Sequence, residues 1–443
     1  MALSEIRIKI GGWLGGAGLW LYCFSAFLST AGASLGFVIF SFAMPILPVR
    51  WRRWVREPLV MTSLGFSIFL LLQTLFAIQW LPGAADEMLD KLVGWEKLLL
   101  FIPFGFWMAR WSERRFTLLL ISVVGLAIGM LSYVNWSMPA RFLQTRTGFL
   151  FPAIGFAYIA GIAILGLFIL GLDSLRREGR KRHIGISLLL VLLLVILVQG
   201  FIQSYSRGAW LAMAVALFVL CVVWYRQRGG VMTNLPPRSQ LALAVLLLSV
   251  VGMVIYLNEE NIAERVVVEA EVISSVVKNQ RDATEVSSTG LRLNVWRFGF
   301  EKFSERPFFG WGAGSAKYLI EQSGLANKLV SPDGEWLPHL HNTYIELLLQ
   351  FGLVGFVWAL AILLLLGRMV HQAVVAGTMP RSYALFFLAV LVFAAVWCVF
   401  DYRVVHRDWQ FSWIILAGTI FSFHLQSISR REVKALKQRE ISG

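Results

Sequence analysis

Apolar residues fall in long blocks along most of the chain, separated by short polar clusters rich in Lys and Arg. Blocks such as Leu59–Leu81, Phe151–Leu172 and Tyr344–Leu366 show neither the alternation of a half-buried strand nor the narrow stripe of a surface helix, being apolar almost all round. About 20 such residues in a row cross the ~30 Å hydrocarbon core of a bilayer, where a helix satisfies its own backbone. About twelve blocks of this kind follow one another between Trp13 and Leu425. The expected fold is an all-α polytopic membrane protein with about twelve transmembrane helices. Arg7 and Lys9 ahead of the first block, with Ala31-Gly32-Ala33 behind it, share the layout of a signal peptide. We read Trp13–Thr30 as an uncleaved first helix.

The pattern changes once, between Asn258 and Asn342, where polar residues dominate. Inside this stretch Ile262–Lys278 and Leu291–Phe303 place apolar residues at helical spacing (Val266, Val268, Ile273; Val295, Trp296, Phe300) and predict two amphipathic helices. Gly310-Trp-Gly-Ala-Gly314 predicts a bend. The chain therefore divides into residues 1–257 with nine spans, a mostly helical loop domain at 258–343, three spans at 344–427 and a tail at 428–443.

Composition agrees with this division. The chain is 58% hydrophobic with a mean hydropathy of +0.69, against ~45–50% apolar residues in soluble domains. A net charge of +14 would suit a nucleic-acid binder, but the charge is scattered over short loops rather than gathered in a groove, and no nucleic acid is expected. It orients the chain instead. Terminal segments and short loops on the N-terminal side hold 24 Lys and Arg against 7 on the other side, which puts both termini in the cytoplasm and the 258–343 domain outside. Cys23, Cys221 and Cys398 lie in apolar blocks without ligand spacing, so neither a disulfide framework nor a zinc-cysteine site is indicated.

The outer face carries the candidate chemistry. His339-Leu340-His341-Asn342 stands where the loop meets the tenth span, holding titratable imidazoles at a fixed depth. The same face carries Arg141, Arg146, Arg207, Arg265, Arg281, Arg292, Arg297 and Arg306. A guanidinium fork matches phosphate oxygens, so this excess of Arg points to a lipid bearing phosphate or diphosphate. Any single loop arginine also has Glu264, Glu269, Glu271, Asp282 or Glu285 as a partner. Arg207, in Ser204-Tyr-Ser-Arg-Gly-Ala-Trp-Leu211, is the strongest candidate, because a charge at the hydrocarbon boundary is costly and the helix beginning beside it favours an anion. The polar loop Asp401–Asp408 is read as a turn stabilised by ion pairs. Two histidines two residues apart face different ways unless the segment is extended, so one is expected to act as base and the other to position it. Their order stays open. Neither an H-x-x-x-H pair nor a carboxylate cluster accompanies them, and no metal or cofactor is expected.

Arg207-Gly-Ala-Trp-Leu211 resembles the R-x3-L signature of the bacterial O-antigen ligase family, and His341 with ten residues and then Gly352 resembles its H-x10-G signature. His341-Asn342 with Gly352 and Gly355 is similar to the longer form H-[NSQ]-x9-G-x-x-[GTY]. Residues Arg306–Gly314 are similar to the segment preceding that histidine in the wider ligase and polymerase superfamily. The resemblance implies an inner-membrane glycosyltransferase with its site on the periplasmic face. It would move O-antigen polysaccharide from undecaprenyl diphosphate to lipid A–core oligosaccharide, without metal and with inversion. His339, His341 and Arg207 would carry catalysis, and Arg207, Arg141, Arg146, Arg265 and Arg292 would bind the donor diphosphate. An O-antigen polymerase or a protein O-oligosaccharyltransferase would use the same donor. A lipid-linked glycan transporter would show paired half-symmetry, which the chain lacks.

Overall fold

The computed structural model describes residues 2–47, 55–137, 146–177, 180–226, 288–324 and 339–442. Among them every regular element is helical. The first two helices, α1 (Ala2–Ser25) and α2 (Thr30–Ala43), form a tight antiparallel hairpin, and a Cβ on Gly36 would lie 2.5 Å from the Tyr22 nitrogen. Small residues at such a crossing let two helices approach closely enough to gain packing that hydrocarbon tails cannot supply. After them come α3 (Pro58–Ile78), α4 (Ala85–Glu96), α5 (Phe101–Arg110) and α6 (Arg115–Ser132). Next are α7 (Ala153–Gly166), α8 (Arg180–Gln203) and α9 (Arg207–Arg226). The loop domain contributes α10 (Ser288–Glu305) and α11 (Ser315–Gln322). The chain closes with α12 (Thr343–Val375), α13 (Arg381–Trp397) and α14 (Arg407–Ser442).

Seven described stretches are long and apolar enough to cross a membrane: residues 58–78, 82–110, 112–132, 153–175, 185–203, 343–375 and 407–433. Three shorter apolar helices, at 30–43, 207–223 and 381–397, accompany them. The chain is thus multi-pass. The expectation of about twelve spans is met only in part. The ninth expected span, 241–257, and the expected helix at 262–278 lie outside the described residues. The spans expected at 33–49 and 383–400 are helices of 14 and 17 residues, ended by turns. The other expected loop helix, 291–303, is present as α10.

The element that places the site is α12. Its hydrogen-bonded run is interrupted at Gly352, where φ is 63° and ψ is −166°, a backbone region open essentially to Gly alone. The loop at 306–312 takes over the hydrogen bonds at the break. Trp311 N–H donates to the Leu349 carbonyl (3.0 Å) and Gly312 N–H to that of Gln350 (2.8 Å), while the Pro307 and Phe308 carbonyls accept from Leu353 and Val354 (2.8 and 3.1 Å). Broken backbone inside a span is tolerated where protein covers it in this way. The glycine bend expected at 310–314 is therefore found, with Gly310, Gly312 and Gly314 all at positive φ, and it docks into the helix break.

Candidate active site

Leu340 fastens the histidine segment. Its side chain is fully buried with Leu291, Val295 and Phe298 of α10 and Ile345 and Leu349 of α12. Its N–H donates to Glu346 Oε2 (2.8 Å), and its carbonyl accepts from Trp296 Nε1 (2.9 Å). Gln350 Nε2 donates to the other oxygen of Glu346 (2.8 Å), while Gln350 Oε1 accepts from Gly314 N–H (3.2 Å). One buried carboxylate thus ties the histidine segment to the glycine bend. Asn342 caps α12, its side-chain oxygen accepting from the N–H groups of Tyr344 (3.0 Å) and Ile345 (3.1 Å).

Between cap and anchor the chain turns sharply at His341, which has φ of 48°. This left-handed residue changes the geometry expected from H-x-H. The two rings, expected to diverge, come together with centroids 4.0 Å apart. The turn is closed by the His341 N–H, which donates to Nδ1 of His339 (3.2 Å).

Thr343 clamps this segment to the end of α13 by two hydrogen bonds, from its N–H to the Cys398 carbonyl (2.8 Å) and from Oγ1 to the Asp401 carbonyl (2.7 Å). That places the Asp401 carboxylate, 1% exposed, with Oδ1 3.0 Å from Nδ1 of His341. Burial alone would raise the Asp401 pKa, but the hydrogen bond from His341 and the basic surroundings of His341, His339 and Arg403 outweigh it and hold the group below the usual carboxylate range. An ionised carboxylate only accepts, so Nδ1 of His341 carries a proton, and in the neutral ring Nε2 has the lone pair. Nε2 is buried and has no hydrogen-bond partner. The same logic gives His339 the opposite tautomer: Nδ1 accepts from the backbone, so Nε2 of the neutral ring is a donor. Burial, reinforced by His341, His406 and Arg403 against the opposing pull of Asp401, holds His339 well below the usual histidine range.

Asp401 was the residue that sequence reasoning missed. The sequence of its loop predicts a turn with ion pairs, and half of that expectation holds, since Arg403 and Asp408 form a buried ion pair against Gly155. Nothing local distinguishes the two aspartates. A distance of 60 residues in sequence separates Asp401 from its histidine.

The predicted arginines divide. Arg146 donates from Nε to the Ser204 carbonyl (3.4 Å), and Thr147 N–H bonds the Gln203 carbonyl (3.4 Å), which brings this segment to the start of α9. Arg207 opens α9, and its neighbour Gly208 backs onto Phe400, the residue before Asp401. Arg292 of α10 is held below the usual arginine range by burial, with Asp401 opposing the shift and Arg146 adding to it, so its guanidinium lies within electrostatic reach of both. Arg146, Arg207 and Arg292 therefore gather at the end of the bundle that holds His339, His341 and Asp401. Two other arginines serve the loop: Arg297 pairs with Glu301 (3.1 Å), and Arg306 is stacked between Trp80 (4.6 Å) and Trp311 (4.2 Å). Arg141 and Arg265 lie outside the described residues.

The stretch that carries both histidines matches known proteins. Residues 192–360 match the O-antigen ligase family, a stretch that contains Arg207, Arg292, both histidines and Gly352 but not Asp401. Proteins of Rickettsia felis, Rickettsia conorii and Rickettsia prowazekii named as polysaccharide ligases are 23%, 24% and 26% identical over 135, 135 and 139 residues. The alignments cover 29–30% of this chain and the same share of each relative. The resemblance read from the motifs is borne out over residues 192–360.

Proposed function

We propose that this chain, on the strength of its match to the O-antigen ligase family, is an inner-membrane glycosyltransferase acting on the periplasmic face. It transfers O-antigen polysaccharide from undecaprenyl diphosphate to lipid A–core oligosaccharide. The observation that carries the reading is the His341–Asp401 pair, whose second ring nitrogen is unpartnered, standing beside gathered arginines. Nε2 of His341 takes the proton of an acceptor sugar hydroxyl as its oxygen attacks the anomeric carbon. The bond from that carbon to the donor phosphate oxygen breaks, and its electron pair leaves with undecaprenyl diphosphate. Asp401 stabilises the imidazolium that forms, as the carboxylate does in other acid–base pairs. Arg207, Arg292 and Arg146 meet the negative charge growing on the diphosphate, and the neutral His339 offers its Nε2–H to an oxygen in the site. Attack in line with the departing group inverts the anomeric centre in one displacement.

In this scheme the arginines supply the charge that a divalent ion supplies in other transferases, so the transfer is metal-independent. The reading of the relatives as polysaccharide ligases favours a saccharide acceptor over a protein one. The test is ligation by purified full chain reconstituted with lipid-linked donor and lipid A–core in excess EDTA. A conjugate formed at full rate supports the scheme. A lengthened donor without conjugate would mark a polymerase, and loss rescued by magnesium or manganese would overturn the metal-free step.

A further inference from the structure

The described residues contain one grouping of ligand-type side chains that base chemistry does not exhaust. The donor atoms of His339, His341 and Asp401 all lie within 4.8 Å of one another, and Nδ1 of His341 and Oδ1 of Asp401 are 3.0 Å apart. Two ligands of one tetrahedral zinc, each at ~2.0–2.1 Å, stand ~3.3 Å from each other, so the ion would take the place of the proton between that pair, and Nδ1 of His339 would exchange the His341 N–H for it. The buried Nε2 of His341, with no protein partner, is a further ligand-type nitrogen on the same ring. We infer that His339, His341 and Asp401 form a binding site for a zinc-like divalent ion, and that its occupancy switches the transfer off.

The donor set selects the ion. Two imidazoles and one carboxylate with a position left open suit zinc, whereas magnesium and calcium take six or more oxygens in all and rely on carboxylates. Asp401 is the one carboxylate of the group. Glu346 is committed to Leu340 N–H and Gln350, and Asp408 is engaged by Arg403. The charges of Arg292 and Arg403 oppose any cation, which leaves binding to the nitrogen bonds and further disfavours hard ions. The ligands also sit on a fastened frame, because Thr343 clamps the histidine segment to the Asp401 backbone. Zinc on either ring nitrogen of His341 removes the base. At Nε2 it takes the lone pair itself, and at Nδ1 it moves the single ring proton to Nε2.

Binding rests on geometry alone, whereas inhibition rests on the proposed role of His341. The test uses purified full chain in detergent, stripped with EDTA and desalted, with zinc chloride titrated against a chromophoric chelator and ligation measured in parallel. The expected result is one zinc per chain, with ligation lowered at least about tenfold at saturation, restored by excess EDTA and unaffected by magnesium. H341N and D401N should each weaken zinc binding by at least about tenfold while melting as the native protein does. No zinc bound, or equal binding by H341N and D401N, overturns the inference and leaves the base reading standing. Activity lost in EDTA and restored by zinc would overturn the inhibitory role and the metal-free mechanism together.

Discussion

At the residue scale the site turns on which nitrogen of His341 is free. Its Nδ1 is engaged by a buried carboxylate held ionised, so the asparagine variant D401N removes charge and allows the wrong tautomer while preserving shape. Ligation should fall by roughly 10²–10⁴-fold in D401N and in H341A, with folded yield retained; turnover within a factor of a few of wild type would remove Asp401 from the mechanism. R207A should lose about 10²–10³-fold in turnover, and R207K should recover only part of it, because an ammonium lacks the planar fork; full recovery would reduce Arg207 to a point charge. His339 gives a stability signature. Between the ordinary histidine value of ~6.5 and its lowered folded value, the unfolded chain binds more protons than the folded one. Stability should therefore drop as pH falls below ~6.5. Thermal unfolding in detergent at pH 7.5 and 5.5 checks the sign, and H339N should show a smaller drop.

At the element scale the interrupted helix explains why a glycine follows the histidine at a fixed distance. Asn342 starts α12, and Gly352 breaks it where the 306–312 loop docks, so the ten intervening residues set the rise from the histidine turn to the loop's landing point. A Cβ on Gly352 would sit 2.3 Å from the Phe308 carbonyl, in addition to the strain of its φ. G352A should cost about 1–3 kcal/mol from backbone strain alone and lower activity with it. The control is G367A, where a Cβ meets nothing within 4 Å on the same helix and only helix propensity acts. It should be neutral or stabilise by up to about 1 kcal/mol. Equal melting temperatures for the two variants would show that the break does not need glycine.

At the scale of the whole molecule, three apolar helices, α12, α13 and α14, separate His341 from the C-terminus. Were all three to cross, the two would lie on opposite sides of a membrane, the arrangement expected from loop charge. A periplasm-active reporter fused after Gly443 should be silent, and one inserted in the 258–343 domain active. Activity at the C-terminus would place the histidines in the cytoplasm and remove them from a periplasmic donor. The aromatic stack of Trp80, Arg306 and Trp311 bears on the same frame, since it ties the loop to the end of α3.

The sequence by itself determined what depends on composition and local order. Long apolar blocks make helices because bilayer and core alike require a self-satisfied backbone, and Arg207, His341 and Gly352 stand at spacings that one helix start and one helix break impose. The loop helix α10, the glycine bend and the family all follow from such local signals. Tertiary structure decided the rest. The pairing of His341 with Asp401 spans 60 positions, and no periodicity encodes it. The meeting of the two histidine rings depends on one left-handed residue at His341, a conformation that its side chain does not favour and that the Leu340 anchor and the Asn342 cap enforce together. Likewise, Arg146 and Arg292 reach one site, whereas Arg297 and Arg306 do not, because burial and partners are properties of packing, and five donors on a guanidinium look the same in any sequence.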